Sequence, residues 1–403
     1  MLVKIFPLEN FIVVDKSGNG NFRSLSEAIQ SLPMYVYERV TIKLKKGYYN
    51  ERVRIDRNYI TIEGQDRDSC IISFDIPRDR WENNRDWIGP GVINIYADDI
   101  ILKNLTIENT QPRKDIHAFA IYGFGKRIIV DNCNILSNGG DTFALWDYKN
   151  GMYYIRNCYI RGAVDFFCPR GWCYVKNTNF YQVRKTATLW HCGFYDSTQK
   201  LVVKNCYFDG VSGFKLGRYH YDAKFYLINC KFSKNLADKP IYYVKNKNPE
   251  RNNPIYSSKQ VFYYNCKNEG KDYSWYRNNV DKIGAGNPEV IDARWVFDDR
   301  WNPEDTLNIS VVGYNILNER EIVLYFSDIV TPLGNVKFKN TKGTVFQLKN
   351  MRLNDINKLS FMVNNKIEES QLMGNMKIIE GKIIATEAYL KERKLPDKFK
   401  IIR

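Results

Sequence analysis

Seven octets decide how this chain is read: IILKNLTI (100–107), IIVDNCNI (128–135), YYIRNCYI (153–160), CYVKNTNF (173–180), LVVKNCYF (201–208), FYLINCKF (225–232) and VFYYNCKN (261–268). Each holds an asparagine at the same place, at Asn104, Asn132, Asn157, Asn177, Asn205, Asn229 and Asn265, the seventh octet being the weakest match. The first six asparagines recur every 20 to 28 residues, the length of one solenoid coil. An amide at a repeated corner can bond its own backbone and the equivalent amide of the next coil. The flanking apolar residues then stack into a narrow core, each coil advancing about 4.8 Å. A sandwich would show hairpin signals and no fixed period. The expected fold is all-β, a right-handed parallel β-helix whose regular ladder runs over 92–268.

The texture extends outward in both directions. Residues 10–15 read as a strand and Lys16–Asn21 as a turn. Ser24 with Glu27 three residues on is a capping box for a short helix through Ala28 and Leu32, stopped by Pro33. Such a helix could cap the open first coil. Short strands follow at 40–44, 52–56 and 59–63. Residues 75–90 interrupt them with a polar run holding Trp81 and Trp87, read as a loop across one face. Its tryptophans could be sugar-stacking platforms or simple anchors. Beyond 268 the rhythm fades, and Trp275, Trp295 and Trp301 are placed in loops. Strand-like pieces at 309–313, 321–326, 335–339, 344–348, 359–363 and 376–384 show no repeat. The expected organisation is therefore a β-helical domain over 1–305 and a small β-rich domain with a basic, exposed tail over 306–403. Carbohydrate binding and capping both remain open for the second.

Composition excludes several classes. The 403 residues carry 14% aromatics, which is not a disordered composition. Sixty Lys and Arg against 45 Asp and Glu give a net charge of +15. A polyanionic partner and a generally basic surface both fit this excess. Five of the nine cysteines (Cys133, Cys158, Cys206, Cys230 and Cys266) directly follow a ladder asparagine. Alternation along a strand puts Asn and Cys on opposite faces, so a ladder of buried free thiols is expected rather than a disulfide framework. With three histidines in all, no metal motif emerges and no cofactor is expected. The opening MLVKIFPLENFIVV is too short and polar for a signal peptide. An intracellular protein and the mature form of a secreted or periplasmic one both fit.

Between the octets lie three segments that can carry chemistry: Gly139-Gly140-Asp141-Thr142, Gly162-Ala163-Val164-Asp165 and Lys215-Leu216-Gly217-Arg218. The aspartates are 24 residues apart, one coil, and Arg218 follows 53 residues later, about two coils. Equal phase on neighbouring coils would bring the carboxylates together, raising one pKa by repulsion. The arginine would hold the other ionised and turned. That is an acid paired with a nucleophile.

These segments resemble the pectin methylesterase (pectinesterase) family. Its Gln-Asp-Thr-Leu segment is similar to Gly140–Phe143, its Gly-Thr-Val-Asp-Phe-Ile-Phe-Gly segment to Gly162–Pro169, and its Leu-Gly-Arg-Pro-Trp segment to Leu216–His220. Val14 through Phe22 and Ala28, and Leu44–Glu51, also match. The resemblance covers residues 10 to 300. It implies that Asp165 is the nucleophile, Asp141 the acid and then base, and Arg218 the residue orienting Asp165. Two oxyanion glutamines of the family are replaced: Gly140 stands at one, and His117, in His117–Ile121, at the other. His117 keeps a donor; Gly140 offers only its backbone N–H. The family's stacking tryptophan is His220, and Trp146, Trp190 and His191 are candidate walls for the substrate. The implied activity is hydrolysis of an ester, a methyl ester, on a pectin-like acidic polysaccharide by a monomer needing neither nucleic acid nor membrane. The alternative is a uronan-binding β-helix without turnover. A calcium-dependent lyase would want clustered acids beside a basic proton acceptor, and the acids are too sparse.

Overall fold

The computed structural model describes residues 11–36, 39–193, 195–245, 261–279, 288, 291–305, 311–326, 330–349, 358–363, 366–367, 372, 375–385 and 398–400. Its contacts divide the chain into a unit over 1–301 and a unit over 302–403.

The first unit is a right-handed parallel β-helix. Each octet contributes to two sheets, not one. Ile128–Asp131 lies in a ten-stranded parallel sheet, and Asn134–Ser137 lies in a nine-stranded one. The octet is therefore two short strands hinged at its asparagine rather than one rung centred on it. The reason is backbone conformation. All seven ladder asparagines have φ between 48° and 56°, the left-handed region that asparagine enters more readily than other side-chain-bearing residues. One such residue turns the chain sharply enough to change sheets. The amides then bond along the axis: Asn132 Nδ2 donates to Asn104 Oδ1 (2.9 Å), Asn229 to Asn205 (3.2 Å) and Asn265 to Asn229 (3.0 Å). Asn157 donates instead to Asp131 Oδ1 at 3.3 Å. Asp131 also pairs with Arg156 across the first sheet, Nε to Oδ1 at 2.9 Å, with both side chains buried.

The cysteines after the corners point inward and are free, all buried except the half-buried Cys266. Each thiol reaches the carbonyl two residues back and a carbonyl of the preceding coil, as Cys158 does with Arg156 (3.0 Å) and Val130 (3.7 Å). Burial pushes the Cys158 and Cys206 thiols up to about 12, so they remain protonated donors.

The predicted cap is present. Leu25–Gln30 is helical with the reciprocal Ser24–Glu27 box, and Leu25, Ala28 and Ile29 pack on the first coil's core. The polar run over 78–87 is not all loop: Arg78–Asn83 forms a short helix behind Pro77. Trp295 likewise sits in a helix, Ala293–Val296, and Trp275 in a 3-10 turn, Ser274–Tyr276. Asp292 caps the Ala293–Val296 helix by accepting from the Trp295 N–H.

The second unit holds a seven-stranded antiparallel sheet with its own core, including Ile322, Leu324, Phe326, Phe338, Phe346 and Phe361. The tail, expected to be free, is part of it: Lys398–Lys400 pairs antiparallel with Asn375–Lys377. Residues 391–397 and 401–403 lie outside the described residues, as does Asn10 of the first expected strand.

Candidate active site

The third face of the β-helix is split. Val53–Ile55, Ile93–Ile95, Ile121–Gly123 and Phe143–Leu145 form one parallel sheet, and Ala187–Trp190, Lys215–Tyr219 and Tyr242–Tyr243 form another. Single-residue bridges, Phe143 to Phe167 and Phe167 to Leu189, join them, with a further one from Arg170 to Cys192. Asp165 opens the coil at the split, Asp141 the coil before it, and Arg218 lies two coils on.

Both aspartates sit at corners. Asp141 has φ 56° and Asp165 φ 49°, the conformation of the ladder asparagines on another edge of the coil. Their backbone N–H groups donate along the axis to Val164 (3.1 Å) and Ala187 (2.8 Å) carbonyls. The corners are packed close. A Cβ on Gly162 would lie 2.3 Å from both Thr142 Oγ1 and Phe166 Cβ, so only glycine lets these coils meet there.

Arg218 grips Asp165 at two nitrogens: Nη2 to Oδ2 at 2.6 Å, and Nε to Oδ1 at 2.9 Å and Oδ2 at 3.0 Å. Burial pushes the Asp165 carboxyl up to about 6; Arg218 opposes that shift, and the Asp141 charge adds to it. At neutral pH Asp165 is therefore still mostly ionised. The expected repulsion adds to this, but burial is the larger cause. The raised carboxyl is the one Arg218 binds, whereas the sequence reading expects it to be the other of the pair. Tyr242, paired in register with Arg218, adds a phenol beside it; the weak strand around it gave no sequence signal.

Asp141 has three neighbours of its own. His117 Nδ1 lies 3.0 Å from Asp141 Oδ2, close enough for an ion pair but off the line of a hydrogen bond. That carboxylate raises the imidazole above its usual value, against burial. Cys168 Sγ donates to Oδ1 at 3.5 Å. Arg78 Nη1 stands 3.9 Å from Oδ2. Sequence reasoning missed Arg78, which lay in the polar run taken for a loop. Its backbone N–H bonds the His117 carbonyl at 2.9 Å, so the run is tied to the site.

Gly140 and His117 form one feature. They are bridged in parallel, and a Cβ on Gly140 would meet His117 Nδ1 at 2.8 Å and Val164 O at 2.7 Å. The imidazole occupies the space a side chain at 140 would need. The backbone N–H of Gly140, considered above as an oxyanion donor, is already committed to Ile116 O at 2.9 Å.

The aromatic walls divide. Trp146 donates through Nε1 to Cys168 O at 3.1 Å and, with Trp190, belongs to an aromatic cluster around Phe119, Tyr122 and Cys168. His220 lies beside Trp190, ring centroids 6.0 Å apart. His191 is not a wall. It is completely buried, its Nε2 2.8 Å from Gly171 O, and burial lowers it to about 4, so it is a neutral core residue beyond a substrate's reach. Among the described residues, no group of three His, Cys, Asp or Glu side chains is placed to hold a metal, and no helix is long and apolar enough to cross a membrane.

This arrangement can be set beside known proteins. Residues 11–192 match the family model described as Pectinesterase. Pectinesterase 31 of Arabidopsis thaliana is 27% identical over 198 residues, 47% of this chain and 57% of that protein. Probable pectinesterase 50 of the same plant is 31% identical over 176 residues, 43% of this chain and 47% of that protein. The chain thus spans about half the length of these curated relatives. A pectin methylesterase crystallised with a hexasaccharide shares the fold at a TM-score of 0.59 and 20% identity, over 72% of this chain and 98% of its own. Pectin methylesterase PemA from Erwinia chrysanthemi does so at 0.58 and 19%, over 73% and 98%. The matched span holds both aspartates and stops short of Arg218, which the fold brings to them. On these matches residues 11–192 are similar to the pectinesterase family, and the β-helical unit shares the fold of solved pectin methylesterases.

Proposed function

We propose that this chain hydrolyses esters, methyl esters first, on a pectin-like acidic polysaccharide. The observation that carries this reading is the Asp165 carboxylate, buried, clasped by Arg218 and one coil from Asp141. In the proposed reaction Asp165 attacks the carbonyl carbon of a C6 ester. The bond to the alcohol oxygen breaks, and Asp141 gives the leaving oxygen its proton. A water that returns a proton to Asp141 then cleaves the acyl–Asp165 anhydride. Free uronate leaves and both aspartates are restored. Arg218 positions Asp165 and keeps it ionised; a carboxylate is a weak nucleophile, so alignment carries much of the rate.

The oxyanion is the part the family solves with glutamines. A lost donor costs about 3 kcal/mol. Arg78 and His117, both beside Asp141, take that place in this reading. The excess of 15 positive charges favours a polyanionic polymer over a neutral one. A polysaccharide substrate implies work outside the cytoplasm.

The test is methanol release from methyl-esterified polygalacturonate by the full chain and by D165N. The wild type should release methanol and D165N should lose at least about a thousandfold. Undiminished release by D165N sinks the mechanism; sugar binding without release from any esterified uronan sinks the activity.

A further inference from the structure

Next to the aspartates lies a guanidinium that the proposed reaction leaves unused. The Arg170 Cζ stands 4.6 Å from the Trp146 ring centroid and 5.6 Å from that of Trp190. On Trp146 it shares a ring with Arg78, whose Cζ is 5.9 Å away. Arg78 in turn is the cation beside Asp141, so this aromatic floor runs directly into the carboxylate pair. Arg170 is two residues beyond Cys168, whose thiol touches Asp141.

The other arginines here are committed. Arg218 is bound to Asp165, and Arg78 to Glu82 at 2.8 Å. Among the described residues, Arg170 has no carboxylate within ion-pair distance, and its buried Nε lacks a hydrogen-bond partner. Indole faces attract a cation but accept none of its five N–H groups in their plane. The side chain is thus oriented, partly desolvated and still without an acceptor. A planar carboxylate is the ligand that a guanidinium fork binds in two-point fashion, and an indole beside it offers a face for a sugar ring.

We propose that Arg170, with Trp146 and Trp190, forms a subsite for the free carboxylate of a uronic acid residue neighbouring the one whose ester is attacked. This deepens the esterase reading and rests on it for the identity of the polymer. It makes the preferred substrate a partly de-esterified uronan, with an ester at Asp165 and an acid at Arg170.

The experiment measures two quantities on the full chain: the dissociation constant for a de-esterified oligogalacturonate by calorimetry, and kcat/KM for methanol release from fully methylated polymer. R170Q should weaken oligogalacturonate binding about ten- to hundredfold while kcat/KM on fully methylated polymer changes less than twofold. R170K, which keeps the charge but not the fork, should fall between, and an unchanged unfolding midpoint checks the fold of both. Equal losses on both ligands, or an unchanged dissociation constant, overturn the subsite. Methanol release with no Arg170 dependence of acid binding rejects the subsite alone. Arg170-dependent acid binding without methanol release rejects the esterase and keeps the subsite.

Discussion

The asparagine ladder and the candidate cleft are built from the same backbone device and put it to opposite ends. Both place a short polar residue at positive φ where the chain changes sheets, Asn132 at 51° on one edge and Asp141 at 56° on another. An asparagine amide is both donor and acceptor, so identical corners can bond one another, as Asn132 does with Asn104. A carboxylate has no donor when ionised. Stacked aspartates therefore need help from elsewhere, which Arg218 supplies to Asp165, and Arg78 and His117 to Asp141. Exchanging one amide for one acid turns a self-satisfying corner into one that concentrates charge.

The first coils of the ladder offer the largest way to break that contrast. The Asp131–Arg156 pair shows the structural solution for a buried acid. R156Q strands the Asp131 carboxylate and should cost about 3–5 kcal/mol, read by denaturant unfolding. Replacing both residues by apolar ones should recover much of the loss. The cleft arginine should behave differently: R218Q should lower kcat about a hundred- to thousandfold at neutral pH, with a smaller change in unfolding free energy than R156Q, because the Asp165 side chain, 11% exposed where that of Asp131 is 0%, can protonate.

Protonation sharpens the comparison further. Burial holds Asp165 at about 6, and the proposed nucleophile must be ionised. Methanol release should fall below about pH 6, approaching tenfold per pH unit on the acid side. R218Q removes the opposing positive charge, so its acid limb should move to higher pH. A limb that stays in place under R218Q means the titrating group is another one. The smallest effect is expected at the corner itself. N132A must hold alanine at positive φ without the amide bond, a loss of about 1–2 kcal/mol in thermal or denaturant unfolding. N132G relieves the backbone and should lose less. Equal losses would assign the whole effect to the amide.

Much of this was legible in the chain. The coil length follows from the spacing of identical corners, and the buried free thiols follow from their place after them. The 24-residue step between Asp141 and Asp165 became proximity because the solenoid keeps phase. Arg78 was not legible, since nothing in a polar run says which cation turns toward a carboxylate 63 residues away. His191 looked like a neighbour of Trp190 in a wall. Successive side chains in an extended segment face opposite ways, and only the fold shows that the histidine faces the core. The loops assigned around Trp81 and Trp295 were short helices whose four to six residues carry too little periodicity to detect.

The sequence by itself determined the repeat, the β-helix and the family resemblance, and singled out the two aspartates and the arginine as the candidate site, because all of these depend on residue type and spacing along a periodic path. The tertiary structure decided which groups share the cleft: that Gly140 yields its space to His117 and its N–H to Ile116, that Arg78 reaches Asp141, and that Arg170 lies against two indoles without an acid. Those are matters of side-chain direction and of competition for hydrogen-bond partners between coils, which no one-dimensional spacing encodes.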